Sequence, residues 1–159
     1  MKIGIFDSGM GGLSVLHRAL RMIPEADFLY YADEEHVPYG EKTREQVRGY
    51  IDEIIGFMIK KQVDAIVIAC NTATSVATKE YRSQFPLPIV GMEPAVKKAV
   101  EEYADRPGRI LVAATPITIK GDKLHHLVDR VDKRDMVDLV ALPKLVRFAE
   151  QEIFDQNQV

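Results

Sequence analysis

Short apolar runs alternate along the chain with longer segments whose apolar residues recur every three or four positions. The runs are KIGIF (2–6), DFLYYA (27–32), AIVIAC (65–70), LPIVGM (87–92), RILVAA (109–114) and VDLVAL (137–142). They are continuously apolar, the mark of parallel strands covered on both faces. Between them lie helical patterns. Residues 13–22 carry Leu13, Leu16 and Leu20, with Ile23 just beyond, and residues 43–61 carry Val47, Ile51, Ile54, Ile55 and Met58 as one stripe. Thr43 stands where an N-cap belongs. Further helices are expected over 73–84, 94–104, 117–131 and 143–154. Strands alternating with helices predict an α/β fold, a parallel sheet flanked by helices.

The pattern restarts. KIGIFDSGMGGLSVLHRAL and RILVAATPITIKGDKLHHL each run from a basic residue through a strand and a small polar turn into a helix, a weak internal repeat. The polar stretch EEYADRPGR (101–109), with its Pro107-Gly108 turn, is the expected boundary. Residues 1–100 then form a first α/β domain and residues 101–159 a partial second unit. That second unit has two strands, too few for a domain. It reads as unfinished, through truncation or because a partner completes it.

Composition narrows the function classes. A hydrophobic share of 47% and a net charge of −3 describe a globular chain with no electrostatic case for nucleic acid. Cys70 is the only cysteine, which excludes an internal disulfide and fits a reducing compartment. No apolar run nears the roughly 18 residues of a membrane span, and MKIGIFDSG is too short for a signal core. The expected address is the cytoplasm.

Candidate chemistry gathers where strands end, the place where open α/β sheets deliver ligand contacts. The first turn, DSGMGG (7–12), lacks the G-x-G-x-x-G spacing because position 14 is serine, and no G-K-[ST] follows. Asp7 there would repel phosphates. The glycines instead let backbone approach a small ligand, while Asp7 is balanced between a chemical role and helix capping. The loop DEEHVPYG (33–40) matches no metal-ligand spacing and reads as solvated, with Tyr39 and Gly40 offering a hydroxyl and an approachable backbone.

In CNTAT (70–74) a thiol sits at a strand end where a helix opens. Such a position favours the thiolate and lowers the thiol's pKa, and Asn71, Thr72 and free amides make a seat for a carboxylate. A buried inert cysteine is the alternative; the polar flank favours a functional thiol. Thr115 and Thr118 in ATPIT (114–118) are placed to bond the same ligand or simply to cap a helix. His125 and His126 are adjacent on a helix and point apart, so they form no metal pair.

IGIFDSGMGG, ADEEHVPYG, AIVIACNTAT, PIVGMEPA and VAATPITIK occur in one order with consistent spacing. Together they resemble the glutamate racemase branch of the aspartate/glutamate racemase family, from about residue 3 to about residue 150. GMEPAVKKAV is similar to the segment that joins the two domains of those enzymes. The resemblance implies a flavodoxin-like racemase domain and an isomerase that moves the Cα proton of glutamate without a cofactor or metal. In such enzymes two cysteines face the substrate from opposite sides, one removing the proton and one returning it. Cys70 would be one of the pair and Asp7 would assist its proton handling. Ser8, Tyr39, Gly40, Asn71 and Thr72, with Thr115 and Thr118, would hold the substrate.

The implied role is the supply of D-glutamate for peptidoglycan by a cytoplasmic enzyme that pairs as a homodimer, with glutamate as its partner and no nucleic acid or membrane involved. The family's second cysteine belongs to a C-T-H motif, and no such motif follows residue 70. The expectation is therefore a chain that binds acidic amino acids weakly and racemises poorly or not at all. A one-cysteine decarboxylase-like enzyme and a non-catalytic acidic amino-acid binding module are the alternatives.

Overall fold

A computed structural model describes residues 1–150. The chain divides into two compact units, Met1–Met92 and a second that begins at Glu93. The division falls inside GMEPAVKKAV rather than at residues 100/101. The Pro107-Gly108 turn instead joins a helix to a strand within the second unit, where Gly108 adopts φ 128°.

The first unit contains β1 (Lys2–Asp7), α1 (Leu13–Met22), β2 (Asp27–Ala32), a 3-10 turn (Tyr39–Glu41), α2 (Arg44–Lys60), β3 (Ala65–Ile68), α3 (Asn71–Val76), α4 (Lys79–Arg82) and β4 (Ile89–Gly91). Its four strands form one sheet in the order β2-β1-β3-β4, and every pairing is parallel. Strand alternation assigns the two faces. On one face Ile3, Ile5 and Ala69 pack with Val67 and with Val15, Leu16, Ala19 and Ile23 from α1 and its end. On the other, Gly4 faces α2 so closely that a Cβ would lie 2.7 Å from the Met58 sulfur. Gly4 pairs with Ile66 and Phe6 with Ile68, and Phe6, Ile66 and Ile68 are fully buried. Both faces of β1 and β3 are thus covered, as their continuous apolar character requires.

α2 follows its sequence pattern closely. Val47, Ile51, Ile54, Ile55 and Met58 are all buried. Thr43 accepts from the Gln46 amide at 3.2 Å while the Gln46 side chain accepts from the Thr43 amide at 2.9 Å, a complete capping box. α1 differs from its expected stripe. Leu16 and Ile23 pack inward with Val15 and Ala19, whereas Leu13 and Leu20 are 48% and 47% exposed. The helix is rotated so that its smaller residues meet the strands. The expected helix over 73–84 divides into α3 and α4, because Thr78 leaves helical geometry and caps α4 through the Tyr81 amide at 3.2 Å.

The second unit contains α5 (Val96–Tyr103), β5 (Ile110–Ala114), α6 (Pro116–Ile119), α7 (Asp122–Val131), β6 (Val137–Ala141) and α8 (Pro143–Glu150). Residues 151–154 of the expected last helix lie outside the described residues. β5 and β6 pair in parallel as a two-stranded sheet. Val96, Leu124 and Leu127 form its core with Val100, Val112, Val137 and Leu139. This explains why α5 belongs to this unit. Leu111, on the opposite face of β5, is 63% exposed. Among the described residues, no helix is long and apolar enough to cross a membrane.

Candidate active site

Adjacent parallel strands end side by side, so the residues that follow them become neighbours. β1 pairs with β3 up to Phe6 and Ile68, and the Ala69 amide adds one more bond to the Phe6 carbonyl at 2.8 Å. Ser8 and Cys70 emerge next to each other beyond this last bond. Ser8 Oγ lies 3.3 Å from Cys70 Sγ. Cys70 caps α3, with its sulfur accepting from the Ala73 amide at 3.3 Å. It is 6% exposed.

Asp7 holds the turn on the other side. Its Oδ2 accepts from the Gly12 amide at 3.1 Å and the Gly9 amide at 3.3 Å, while Tyr30 Oη donates to the Gly9 carbonyl at 3.1 Å. Gly12 is obligatory here for space. A Cβ would come within 2.7 Å of Asp7 Cβ, 2.8 Å of Tyr30 Oη and 3.0 Å of Ala69 Cβ. Asp7 thus ties together the turn between β1 and α1 rather than capping the helix, whose N-cap, Gly12, receives no side-chain cap bond.

Electrostatics sets the resting protonation. Burial pushes the Cys70 thiol above its ordinary range, and the nearby Asp7 carboxylate pushes it further. The Ser8 hydroxyl and the Ala73 and Ser8 amides pull it back only in part. This reverses the lowered value expected from the helix start. The six-residue α3 supplies a few donors, and desolvation outweighs them. The resting group is a protonated thiol. Burial likewise raises the Asp7 carboxyl, against the pull of the Gly12, Gly9, Ser8 and Gly11 amides.

The loop that reads as solvated has a buried centre. Asp33 is 4% exposed and Tyr39 is 1% exposed. Tyr39 Oη donates to Asp33 Oδ2 at 2.5 Å. His36 Nδ1 lies 2.8 and 3.0 Å from the two Asp33 oxygens. The Tyr39 hydroxyl is therefore engaged with Asp33, and it lies within electrostatic reach of Cys70. Gly40 is half-buried beside Tyr39, in the turn that packs against α3. Asp33 is the residue that sequence reasoning missed. Its signal was available, since it follows β2 immediately, just as Asp7 closes β1.

Asn71 opens α3 and is exposed, whereas Thr72 is buried. Thr74 and Ser75 serve the fold, donating to the carbonyls of Ile68 at 3.2 Å and Thr72 at 2.7 Å. Asp7, Ser8, Tyr39, Gly40, Cys70, Asn71 and Thr72 all belong to the first unit. Thr115 and Thr118 belong to the second. There Thr115 caps α6, its hydroxyl 3.0 Å from that of Thr118. Among the described residues, no cluster of three or more His, Cys, Asp or Glu side chains is arranged to hold a metal.

Residues 8–157 match the Asp/Glu/hydantoin racemase family. The chain is 57% identical to a glutamate racemase of Lachnospira eligens over 159 residues, all of this chain and 60% of that protein. It is 46% identical to glutamate racemase 2 of Bacillus subtilis, again over the whole chain and 60% of the relative. The chain thus spans about three fifths of the length of these curated relatives. Glutamate racemase from Campylobacter jejuni superimposes with a TM-score of 0.85 at 33% identity, covering 99% of this chain and 63% of that one. Escherichia coli glutamate racemase, solved with L-glutamate and the activator UDP-MurNAc-ala, gives 0.84 at 30% identity over 95% of this chain and 56% of that one. With a family match over residues 8–157 and relatives 46–57% identical over its whole length, the chain whose paired strand ends hold this buried thiol belongs to the Asp/Glu/hydantoin racemase family.

Proposed function

We propose that this chain carries one acid/base half of a glutamate racemase, with Cys70 exchanging a proton with the substrate's Cα. The observation that carries this reading is the thiol itself, buried at the strand ends and contacted by Ser8 Oγ and the Ala73 amide at 3.3 Å each.

The reaction balances as follows. Cys70 acts as base once its resting thiol has released its proton to solvent; that thiolate takes the Cα proton, and the electron pair left behind delocalises into the substrate carboxylate. A proton delivered to the opposite face completes inversion. In the reverse direction, the neutral thiol supplies the proton. An amino-acid Cα–H is a very weak acid, so the planar carbanion needs fixed donors at the carboxylate and an ammonium that stays charged. Asn71 and Thr72, which open the helix that Cys70 caps, and the backbone of the Tyr39-Gly40 turn that packs against this helix are assigned to that seat. Asp7 and Ser8 act on the thiol directly: the carboxylate raises its proton affinity and the hydroxyl lowers it. Poising of this kind lets one group serve as base and acid in turn.

The sequence contains a single cysteine, so the opposite-face proton donor is a second group. The 159-residue chain alone is expected to bind glutamate weakly and to turn it over poorly. Family membership supports the wider role: D-glutamate for peptidoglycan, made in the cytoplasm by a homodimer.

Two measurements test this. L-glutamate at millimolar concentration should slow iodoacetamide alkylation of Cys70, and L-alanine should not. In D2O, the chain should catalyse slow Cα–H exchange of glutamate, seen by proton NMR and lost in Cys70→Ala. Alkylation indifferent to glutamate, together with exchange that survives Cys70→Ala, would sink the reading.

A further inference from the structure

Asp33 ties together the parts of the site that sequence separates. Its backbone N–H donates to the Asp7 carbonyl at 3.0 Å, which fixes it beside the end of β1. Its buried carboxylate takes its side-chain donors from its own loop, Tyr39 Oη at 2.5 Å and His36 Nδ1 at 2.8 Å. A buried carboxylate is costly unless its donors are held in place. Here they are held by α2. The His36 ring stacks on Tyr50 at 3.8 Å and 18°, and Tyr39 lies 5.7 Å from the same ring. The far end of the loop, Tyr39–Glu41, packs against α3, the helix that Cys70 caps.

We propose that Asp33 is a positioning residue for Cys70. Through Tyr39 and His36 it holds the Tyr39-Gly40 backbone against α3 and keeps the thiol's surroundings closed to solvent. Closure matters chemically because excluding water strengthens every donor aimed at the developing charge. That consequence rests on the function proposed above; the positioning itself does not.

The test uses the full 159-residue chain without ligand, where Cys70 is the only thiol. A buried thiol is alkylated through local opening, so its rate follows the open population. Asp33→Asn keeps the side chain's size and removes its charge, and Tyr39→Phe removes one hydroxyl. Each should raise the iodoacetamide rate about tenfold, the scale of a lost charge-assisted hydrogen bond. The double variant should not exceed the faster single by more than about twofold, since both break one link. Amide resonances of Gly40 and Ala73 should move alike in both single variants.

Val63→Ala is the control. It empties part of a buried site at the opposite end of the sheet, where the Asp64 amide meets the Lys2 carbonyl. It should lower the melting temperature without changing the rate. Rates at the parent value in both Asp33→Asn and Tyr39→Phe would overturn the proposal, as would an equal rise in Val63→Ala. If Asp33→Asn fails to fold, Tyr39→Phe carries the test alone. Protection by glutamate is read on the parent chain, so its failure would remove the proposed function and leave the rate ratios standing.

Discussion

Ser8 Oγ and Cys70 Sγ lie 3.3 Å apart although 62 residues separate them in the chain. The contact exists because β1 and β3 run parallel and stop together, Phe6 beside Ile68. A hydroxyl that can donate to sulfur stabilises the thiolate. Ser8→Ala should therefore raise the titration midpoint of Cys70, followed through the 13C shift of its Cβ. The thiolate fraction at pH 8 should fall roughly threefold, the scale of one modest hydrogen bond. An unmoved midpoint would show that the serine does not bond the sulfur.

Asp7→Asn should move the same midpoint the other way, because the carboxylate charge is one cause of the raised thiol. The variant has a second signature in stability. The folded-state pKa of Asp7 lies above its ordinary value of 3.8, so the folded chain holds this proton more tightly than the unfolded chain. Ionisation of Asp7 then costs stability at neutral pH. That cost fades as pH falls through the raised folded value and is gone below 3.8. Asp7→Asn should raise the urea midpoint at pH 7 and lose this advantage in acid. A urea midpoint at or below the parent's at pH 7 contradicts this account.

Two glycine replacements should differ in sign. Gly12→Ala forces a methyl against Asp7 Cβ and Ala69 Cβ, which sit next to the backbone where β1 and β3 end, and against Tyr30 Oη, which donates to the Gly9 carbonyl. It should cost about 1–3 kcal/mol. Gly49, inside α2, has nothing within 4 Å of its missing Cβ. Gly49→Ala should gain about 0.5–1 kcal/mol from helix propensity. Chemical denaturation of the two variants checks both values.

Thr43→Ala removes the hydroxyl half of the capping box with Gln46. The expected loss is about 1 kcal/mol. Gln46→Ala in the Thr43→Ala background should add little, because the two bonds form one unit. A double-mutant cycle by urea unfolding measures that coupling.

Local pattern carried much of the architecture. The β2 bounds, the α2 stripe and the Thr43 cap follow from residue spacing and side-chain chemistry within a few positions. The same holds for Cys70 and Asp7 at strand ends, since an apolar run must stop where polar residues begin. The face that α1 buries was not readable. Leu13 and Leu20 share helical spacing with Leu16, and only the sheet decides that Val15 and Ala19 take their place.

By itself, then, the sequence determined the alternation of strands and helices, the strand-end location of the thiol, and the family. Tertiary structure alone decided the protonation of Cys70 and the roles of Asp33 and Tyr39. The physical reason is range. Periodicity and capping act between near neighbours, whereas desolvation depends on everything that closes around a group. Burial raises a thiol that its helix start would have lowered. It also converts Asp33, in a loop that reads as solvated, into the buried acceptor for Tyr39.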